Sequence, residues 1–294
     1  MTSVLMLGEA LIDIVDGAEY VGGSPANVAV GVARQGVAAT LLTRIGRDDR
    51  GRRIAAQVET SGAGIAEASW TDAATSTARA RIRADGSAEY DFQIDWSLGD
   101  DAVSALVDAA SVVHAGSIGL FLQPGGSAVL VGLERAQRAG AIVTVDPNIR
   151  PALVGDDAVA ISERAFAAAS VVKLSDEDAE ALYPGVAAAD VLARVAAFGP
   201  RVVVMTRGAA GALALSAGGV VAAEPLRVDV ADTIGAGDAF MASLIVSAVD
   251  DPGLLSGDDA ALERALRRAA VTAGVTVSRP GADPPTRAEV DRLV

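Results

Sequence analysis

The chain has 294 residues, 38 acidic against 24 basic side chains, no cysteine, one histidine (His114) and one lysine (Lys173). Without cysteine it can build no disulfide, thiol nucleophile or thiolate metal site, and a single histidine rules out multi-imidazole zinc centres. A formal charge of −14 opposes binding to a nucleic-acid backbone and predicts a soluble, self-repelling surface.

At 51% apolar the chain can bury a sizeable core, and with only 3% aromatics Ala, Val and Leu must do most of the packing. No segment reaches the ~18 uninterrupted apolar residues of a membrane span. Ala239–Val249 is too short, and Ala209–Ala223 is interrupted by three glycines. The first residues enter a strand and meet Glu9 and Asp13 with no basic stretch, so a signal peptide is not expected and a cytoplasmic location is.

In chain order, Val4–Leu7, Thr40–Ile45, Ser111–His114, Ile142–Val145, Val171–Leu174 and Val202–Met205 read as buried strands. Helical patterns lie between them at Val28–Gln35, Asp49–Thr60, Gly126–Arg138 and Ala188–Phe198. Nearly continuous apolar strands alternating with helices predict a parallel sheet covered on both faces.

From Ser76 to Asp95 the period changes to two. Ala78, Ala80, Ile82 and Ala84 alternate with Arg79, Arg81 and Arg83; after Asp85-Gly86-Ser87, Ala88, Tyr90, Phe92 and Ile94 alternate with Glu89, Asp91 and Gln93. This predicts a half-buried antiparallel hairpin. A two-residue turn would set Ile82 against Glu89, charge against apolar; a three-residue loop pairs Arg83 with Glu89, Ile82 with Tyr90 and Arg81 with Asp91 and keeps the faces consistent. The three-residue loop is expected, either as a flap over a site or as an ordinary edge hairpin. Ile12–Tyr20 is a candidate to join it. Arg79 and Arg81 either reach a ligand from this hairpin or pair across it with Asp91 and Glu89.

The densest chemical signal is Asp232-Thr233-Ile234-Gly235-Ala236-Gly237-Asp238, running into the apolar stretch Ala239–Val249. A glycine-rich turn opening a buried helix presents unpartnered N–H groups and the positive end of the helix dipole, a site suited to phosphate. A carboxylate there would repel a merely bound anion. It makes sense if Asp238 takes a proton from an attacking hydroxyl while the N–H groups hold a transferring phosphoryl group. The plain alternative is an acidic residue favoured at a helix start. There is no G-x-x-x-x-G-K-[ST], which excludes a P-loop NTPase.

A second stretch, Gly22-Gly23-Ser24-Pro25-Ala26-Asn27, leads into Val28–Gln35. Ser24 is expected to cap that helix with Pro25 at its first position. The glycines admit a ligand close to the backbone, and Asn27 offers the donor and acceptor that a sugar hydroxyl needs. A simple strand-to-helix connector is the alternative. His114, at a strand end, reads as a buried structural histidine. Lys173 suits either phosphate contact or an ordinary strand end, and Arg150 either phosphate contact or pairing with an Asp.

Together these two stretches resemble the N- and C-terminal signatures of the ribokinase-like (PfkB-type) carbohydrate kinases, and the similarity runs over essentially the whole chain. Gly8-Glu9-Ala10-Leu11-Ile12-Asp13 resembles that family's first strand and sugar-contacting Asp, Asp146-Pro147-Asn148-Ile149-Arg150-Pro151 its fructokinase branch, and Thr206-Arg207-Gly208 with Gly211 the strand end lining the nucleotide site. The resemblance implies a single three-layer α/β/α domain over 1–294, mainly parallel in its central sheet, with a small β-sheet lid from about 12–22 and 72–97.

It also implies an ATP-dependent kinase acting on a primary hydroxyl, with D-fructose as the expected substrate and ribose, a nucleoside or 2-keto-3-deoxygluconate as alternatives. A non-catalytic sugar-binding homologue is the alternative of another class. Asp238 would be the base; Gly235, Ala236 and Gly237 the anion hole; Asp13, Gly22, Gly23, Asn27, Arg81 and Arg150 the sugar contacts. Lys173, Ser175, Thr206, Gly208 and Gly211 would face the nucleotide. Mg²⁺ would be organised through water by Asp178, and a monovalent cation such as K⁺ by Asp232 with carbonyls around Val277–Gly281. The family's Asn-x-x-Glu is here Ser175-Asp176-Glu177-Asp178, which leaves the acidic partner of Mg²⁺ open among Asp176–Asp178. A homodimer through the lid is expected, and no nucleic-acid or membrane partner.

Overall fold

A computed structural model describes residues 2–82, 88–216 and 219–294. Nine strands form the central sheet, in the order Gly219–Ala223, Ala212–Ser216, Val202–Thr206, Val171–Ser175, Ile142–Asp146, Val112–Gly116, Ser3–Leu7, Ala38–Leu42, Gly64–Ile65. All neighbours are parallel except at one edge, where Ala212–Ser216 runs antiparallel to both its partners.

The first strand shows why the sheet is covered twice. Val4 and Met6 point into one apolar cluster with the helices Ser24–Arg34, Asp49–Thr60, Ala236–Asp250 and Asp259–Val277. Leu5 and Leu7 point into another, with Asp100–Ala109, Gly125–Arg138, Ala158–Ala168 and Ala188–Ala196. A strand buried on both faces has no polar side to show, hence the unbroken apolar runs. This is the three-layer α/β/α arrangement expected.

Three sequence expectations need correction. Thr40–Ile45 is not one strand: Ala38–Leu42 belongs to the central sheet, while Ile45–Gly46 pairs with Trp70–Thr71. The break falls at Thr43, whose N–H donates to Ser69 Oγ, 3.1 Å, rather than to a strand neighbour. The antiparallel edge strands and the long helix Asp259–Val277 lie in segments with no element assigned from sequence. Ser24 does not cap its helix; Gly23 does, and Ser24 is the first helical residue.

A separate four-stranded sheet orders Ala18–Gly22, Leu11–Val15, Thr77–Ile82 and Ala88–Gln93, so the early extended piece does join the hairpin. The hairpin keeps the expected faces but shifts by two residues: Ile82 lies opposite Ala88, Arg81 opposite Glu89 and Arg79 opposite Asp91. The residues of the expected three-residue loop, 85–87, lie outside those described. Glu19, on the charged face, is tied to the Asp49–Thr60 helix by ion pairs from Arg50 and Arg53, 2.5 and 2.6 Å. The opposite face carries Asp13, Val15, Tyr20, Ala78 and Phe92.

The chain leaves the first strand in one direction for Ala38–Leu42, and Val112–Gly116 lies on its other side. Such a reversal opens a crevice at the carboxyl ends of the strands. There the strands approach closely: a Cβ on Gly116 would sit 1.8 Å from the carbonyl oxygen of Asp146. Gly116→Ala should therefore cost about 1–3 kcal/mol by forcing the two strand ends apart, read as a lower urea midpoint with an unchanged slope.

Candidate active site

The crevice collects strand ends: Gly8 and Glu9 after the first strand, then Gly116, Asp146, Ser175 and Thr206 at or beside the ends of theirs. Over them stands the Ala236–Asp250 helix. Its cap, Gly235, has φ 75°, and a Cβ there would meet Ala282 at 2.6 Å, so both backbone and space demand glycine. Asp238 lies in the first turn and is buried. This helix packs against Ser24–Arg34 so closely that a Cβ on Gly31 would lie 2.7 Å from that of Ala242. Two helix starts are thereby brought side by side. Ser24 Oγ donates to Asp238 Oδ1 at 2.6 Å, and Asn27 Nδ2 donates to Oδ2 at 2.8 Å.

Lys173 comes up beneath the glycine turn. Its Nζ would lie 3.2 Å from a Cβ on Gly237 and pairs with Asp146 Oδ2 at 2.6 Å, both side chains being buried. Burial works against the ammonium, but Asp146, Asp178 and Asp238 outweigh it and hold its pKa above the usual lysine value. Burial pushes Asp146 up to about 6 despite Lys173. Its other oxygen, Oδ1, has no hydrogen-bond partner in the protein.

Asp178 is occupied structurally. Its Oδ1 accepts from Ile149 N–H at 2.6 Å, and Oδ2 from Ser175 N–H and Oγ, both 2.8 Å, in a reciprocal capping box. It thus clamps the Asp146–Arg150 segment onto the next helix. Asp176 and Glu177 are exposed. Among the described residues no group of three or more His, Cys, Asp or Glu is gathered as a metal centre.

Asp13 lies against the end of the neighbouring strand, its Oδ2 in the space a Cβ on Gly22 would take. Burial raises the Asp13 pKa, and the Arg150 guanidinium partly offsets this. Gly23 has φ 111°, with the carbonyl oxygen of Glu9 2.5 Å from its Cβ position. In the hairpin register Arg81 lies opposite Glu89, two residues along the strand from Arg79. Thr206 lies opposite Ser175 at adjoining strand ends, with Gly208 and Gly211 in the turn beyond. Asp232 accepts from Ile234 and Gly281 N–H groups, which hold its carboxyl below the usual range, and its own N–H donates to Val277 O.

Glu9 and Ser24 were not singled out as site residues, although both sit inside the quoted stretches. The signal for Glu9 was an acid within an otherwise apolar run. Its side chain is buried and accepts from Gly119 N–H, 2.9 Å, and from Ser117. His114 is, as expected, a buried histidine: Nδ1 meets Thr144 Oγ1 at 3.0 Å, and burial with Lys173 nearby lowers its pKa to about 3.

A glycine-capped helix start carrying a buried carboxylate, with hydroxyl and amide donors facing it, is the arrangement these residues form. From residue 3 to residue 289 the chain matches the pfkB family carbohydrate kinases, and it belongs to that family. It is 31% identical to probable fructokinase-4 of Arabidopsis thaliana, over 99% of this chain and 96% of that one. To fructokinase-1 of Oryza sativa subsp. japonica it is 33% identical, over 99% and 97%.

Among solved structures it resembles the ATP-bound fructokinase of Xylella fastidiosa (TM-score 0.86, 26% identity, 99% and 97% covered). A fructokinase double mutant of Vibrio cholerae O395, in fructose, ADP and potassium ion bound form, gives TM-score 0.87 at 26% identity, with 99% and 98% covered. The aminoimidazole riboside kinase of Salmonella enterica, complexed with aminoimidazole riboside and an ATP analogue, gives 0.82 at 25%, with 99% of each chain covered. The chain is a sugar kinase, and the non-catalytic alternative is set aside. No helix among the described residues is long and apolar enough to cross a membrane.

Burial pushes the Glu9 carboxyl from 4.5 to about 7, and the nearby Asp238 adds to the rise. Between those values the folded protein keeps a proton that the unfolded chain has lost, so stability falls as pH rises through the interval and the loss is complete above it. His114 works in reverse, removing stability as pH falls below 6.5. Comparing the parent with Glu9→Gln cancels His114 and isolates Glu9. The variant should gain on the parent by about 3 kcal/mol between pH 4.5 and pH 8, measured by urea unfolding at each pH.

Proposed function

We propose that this sugar kinase transfers the γ-phosphoryl group of ATP to a primary hydroxyl of D-fructose. The observation that carries the proposal is Asp238: a buried carboxylate in the first turn of a helix whose glycine cap and Lys173 favour an anion. The acceptor hydroxyl donates to Asp238, which takes its proton as the oxygen attacks phosphorus. N–H groups of Gly235, Ala236 and Gly237, backed by Lys173, hold the transferring group. Asp13, paired electrostatically with Arg150, and Asn27 orient the sugar against the backbone of Gly22 and Gly23. Ser175, Thr206, Gly208 and Gly211 face the nucleotide. The small sheet, presenting Asp13 from its apolar face, acts as a lid that excludes water.

The donor set also fits Mg²⁺. Asp146 Oδ1 is a buried acceptor without a protein partner, whereas the oxygens of Asp178 are engaged by N–H and O–H groups. Asp146 would hold a metal-bound water, with Asp178 fixing the segment beside it. The ion supplies neutralisation of phosphate charge. Asp232, kept ionised by two N–H donors, fits a monovalent cation shared with carbonyls around Val277–Gly281. The potassium-bound Vibrio cholerae relative supports that reading.

Fructose is favoured by the fructokinase relatives and structures. The riboside kinase of similar fold supports a riboside as the second reading. A homodimer through the small sheet is part of the proposal, since Val15 and Tyr20 leave 40% and 59% of their surfaces exposed there. A monomer by light scattering would remove it.

The deciding measurement is ADP formation with fructose, ribose, adenosine, an aminoimidazole riboside and 2-keto-3-deoxygluconate. Fructose should give the highest kcat/KM. Absence of any sugar dependence would sink the kinase assignment, and a riboside preference would replace fructose. Asp238→Asn should lower kcat about 10²–10⁴-fold; parental turnover in that variant would remove Asp238 as the base.

A further inference from the structure

Both oxygens of Asp238 hold protein donors. Asn27 Nδ2 is on Oδ2, and Ser24 Oγ is on Oδ1 at 2.6 Å. Ser24 owes nothing to its own helix end: Gly23 is the cap, and no side-chain cap bond is made there. The helix start that carries it is fixed from outside. The Pro25 ring fills the space a Cβ on Gly8 would need, 2.2 Å away, and Gly23 lies against Glu9 O. So the Ser24 hydroxyl is held at the base by packing on both sides.

A hydroxyl is also what the substrate brings to this carboxylate, and water brings the same group. Resting on the kinase reading, we propose that Ser24 guards the base, its O–H filling Oδ1 so that water cannot take the attacking position while sugar is absent. The reaction it suppresses is hydrolysis of ATP. There Asp238 takes a proton from water as its oxygen bonds to the γ-phosphorus. The bond to the β,γ-bridging oxygen breaks with its electron pair left on ADP, and the proton passes to solvent alongside inorganic phosphate.

Water and sugar differ in how they compete. A lone water would exchange one hydrogen bond for an equal one and pay for its own immobilisation, while Ser24 is already held in place. A sugar is bound at Asp13 and Asn27 as well, and those contacts offset the displacement of Ser24. The Ser24 hydroxyl then turns aside, and the acceptor hydroxyl takes Oδ1.

The experiment measures phosphate released from ATP and Mg²⁺ without sugar, for the parent, Ser24→Ala, Ser24→Gly and Ser24→Thr. Both truncations leave room for a water at Oδ1, and release should rise on the order of tenfold in each. Ser24→Thr returns a hydroxyl to the same atom and should bring release back down. A merely structural loss would lower sugar-free release and sugar-dependent ADP formation together. The inference is overturned if both truncated variants still phosphorylate sugar yet release phosphate no faster than the parent. It is likewise overturned if Ser24→Thr releases as much as Ser24→Ala. A parent that shows no sugar-dependent ADP formation refutes the kinase substrate reading instead, and the sugar-free comparison still judges Ser24.

Discussion

Charges withdrawn from water need partners within a few ångströms, and at this crevice carboxylates outnumber cations. Glu9, Asp146, Asp178 and Asp238 are all buried, against one lysine. The protein resolves the imbalance in three ways. Lys173 pairs with Asp146 and lies within electrostatic reach of two more carboxylates. Asp178 and Asp238 are supplied with N–H and O–H donors from neighbouring segments. Glu9, pushed up to about 7, sheds its charge over much of the acid range. Each solution fixes a piece of backbone. The Ile149 segment and the Gly119 N–H are held where they are by the carboxylates they satisfy, and Ser24 and Asn27 bring donors to Asp238 from a helix start that packing fixes.

The same logic answers how a chain of charge −14 can attract a polyphosphate. Net charge describes the far field, which salt screens within about 10 Å. At the glycine turn the near field is set by the helix start and Lys173, in a medium where a single ammonium acts strongly. Some acidic residues elsewhere are matched by arginines, as with Glu19 between Arg50 and Arg53 or Asp251 against Arg264.

Much of this was legible in the chain. Buried parallel strands carry their own signature, and Asp49–Thr60 was bounded correctly because Asp48 caps it and the apolar period is clean. The Gly235–Asp238 turn stood out because a carboxylate contradicts simple anion binding. Less legible was anything set by contacts between distant segments. The hairpin's parity followed from alternation, but its register depends on which residues form the turn, and a shift of two leaves every face unchanged. The helix Asp259–Val277 packs against Ala236–Asp250, and its first and last turns carry few sequence marks beyond the Asp258 cap. Ser24 has the composition of a cap, and only the neighbouring helix reveals its actual acceptor. A role for Asp178 beside Mg²⁺ came only from the family resemblance, and nothing in the sequence shows the hydrogen bonds that Ile149 and Ser175 make to its oxygens.

Lys173 has one more consequence. It is the only lysine in the sequence and is almost wholly inaccessible. Every exposed basic side chain is therefore a guanidinium, which neither acylates nor forms imines under ordinary conditions. An amine-directed reagent, or an enzyme that modifies lysine, meets no side chain it can use on the outside of this molecule. The one side-chain amine is sealed beneath the glycine turn, where modification would do most harm.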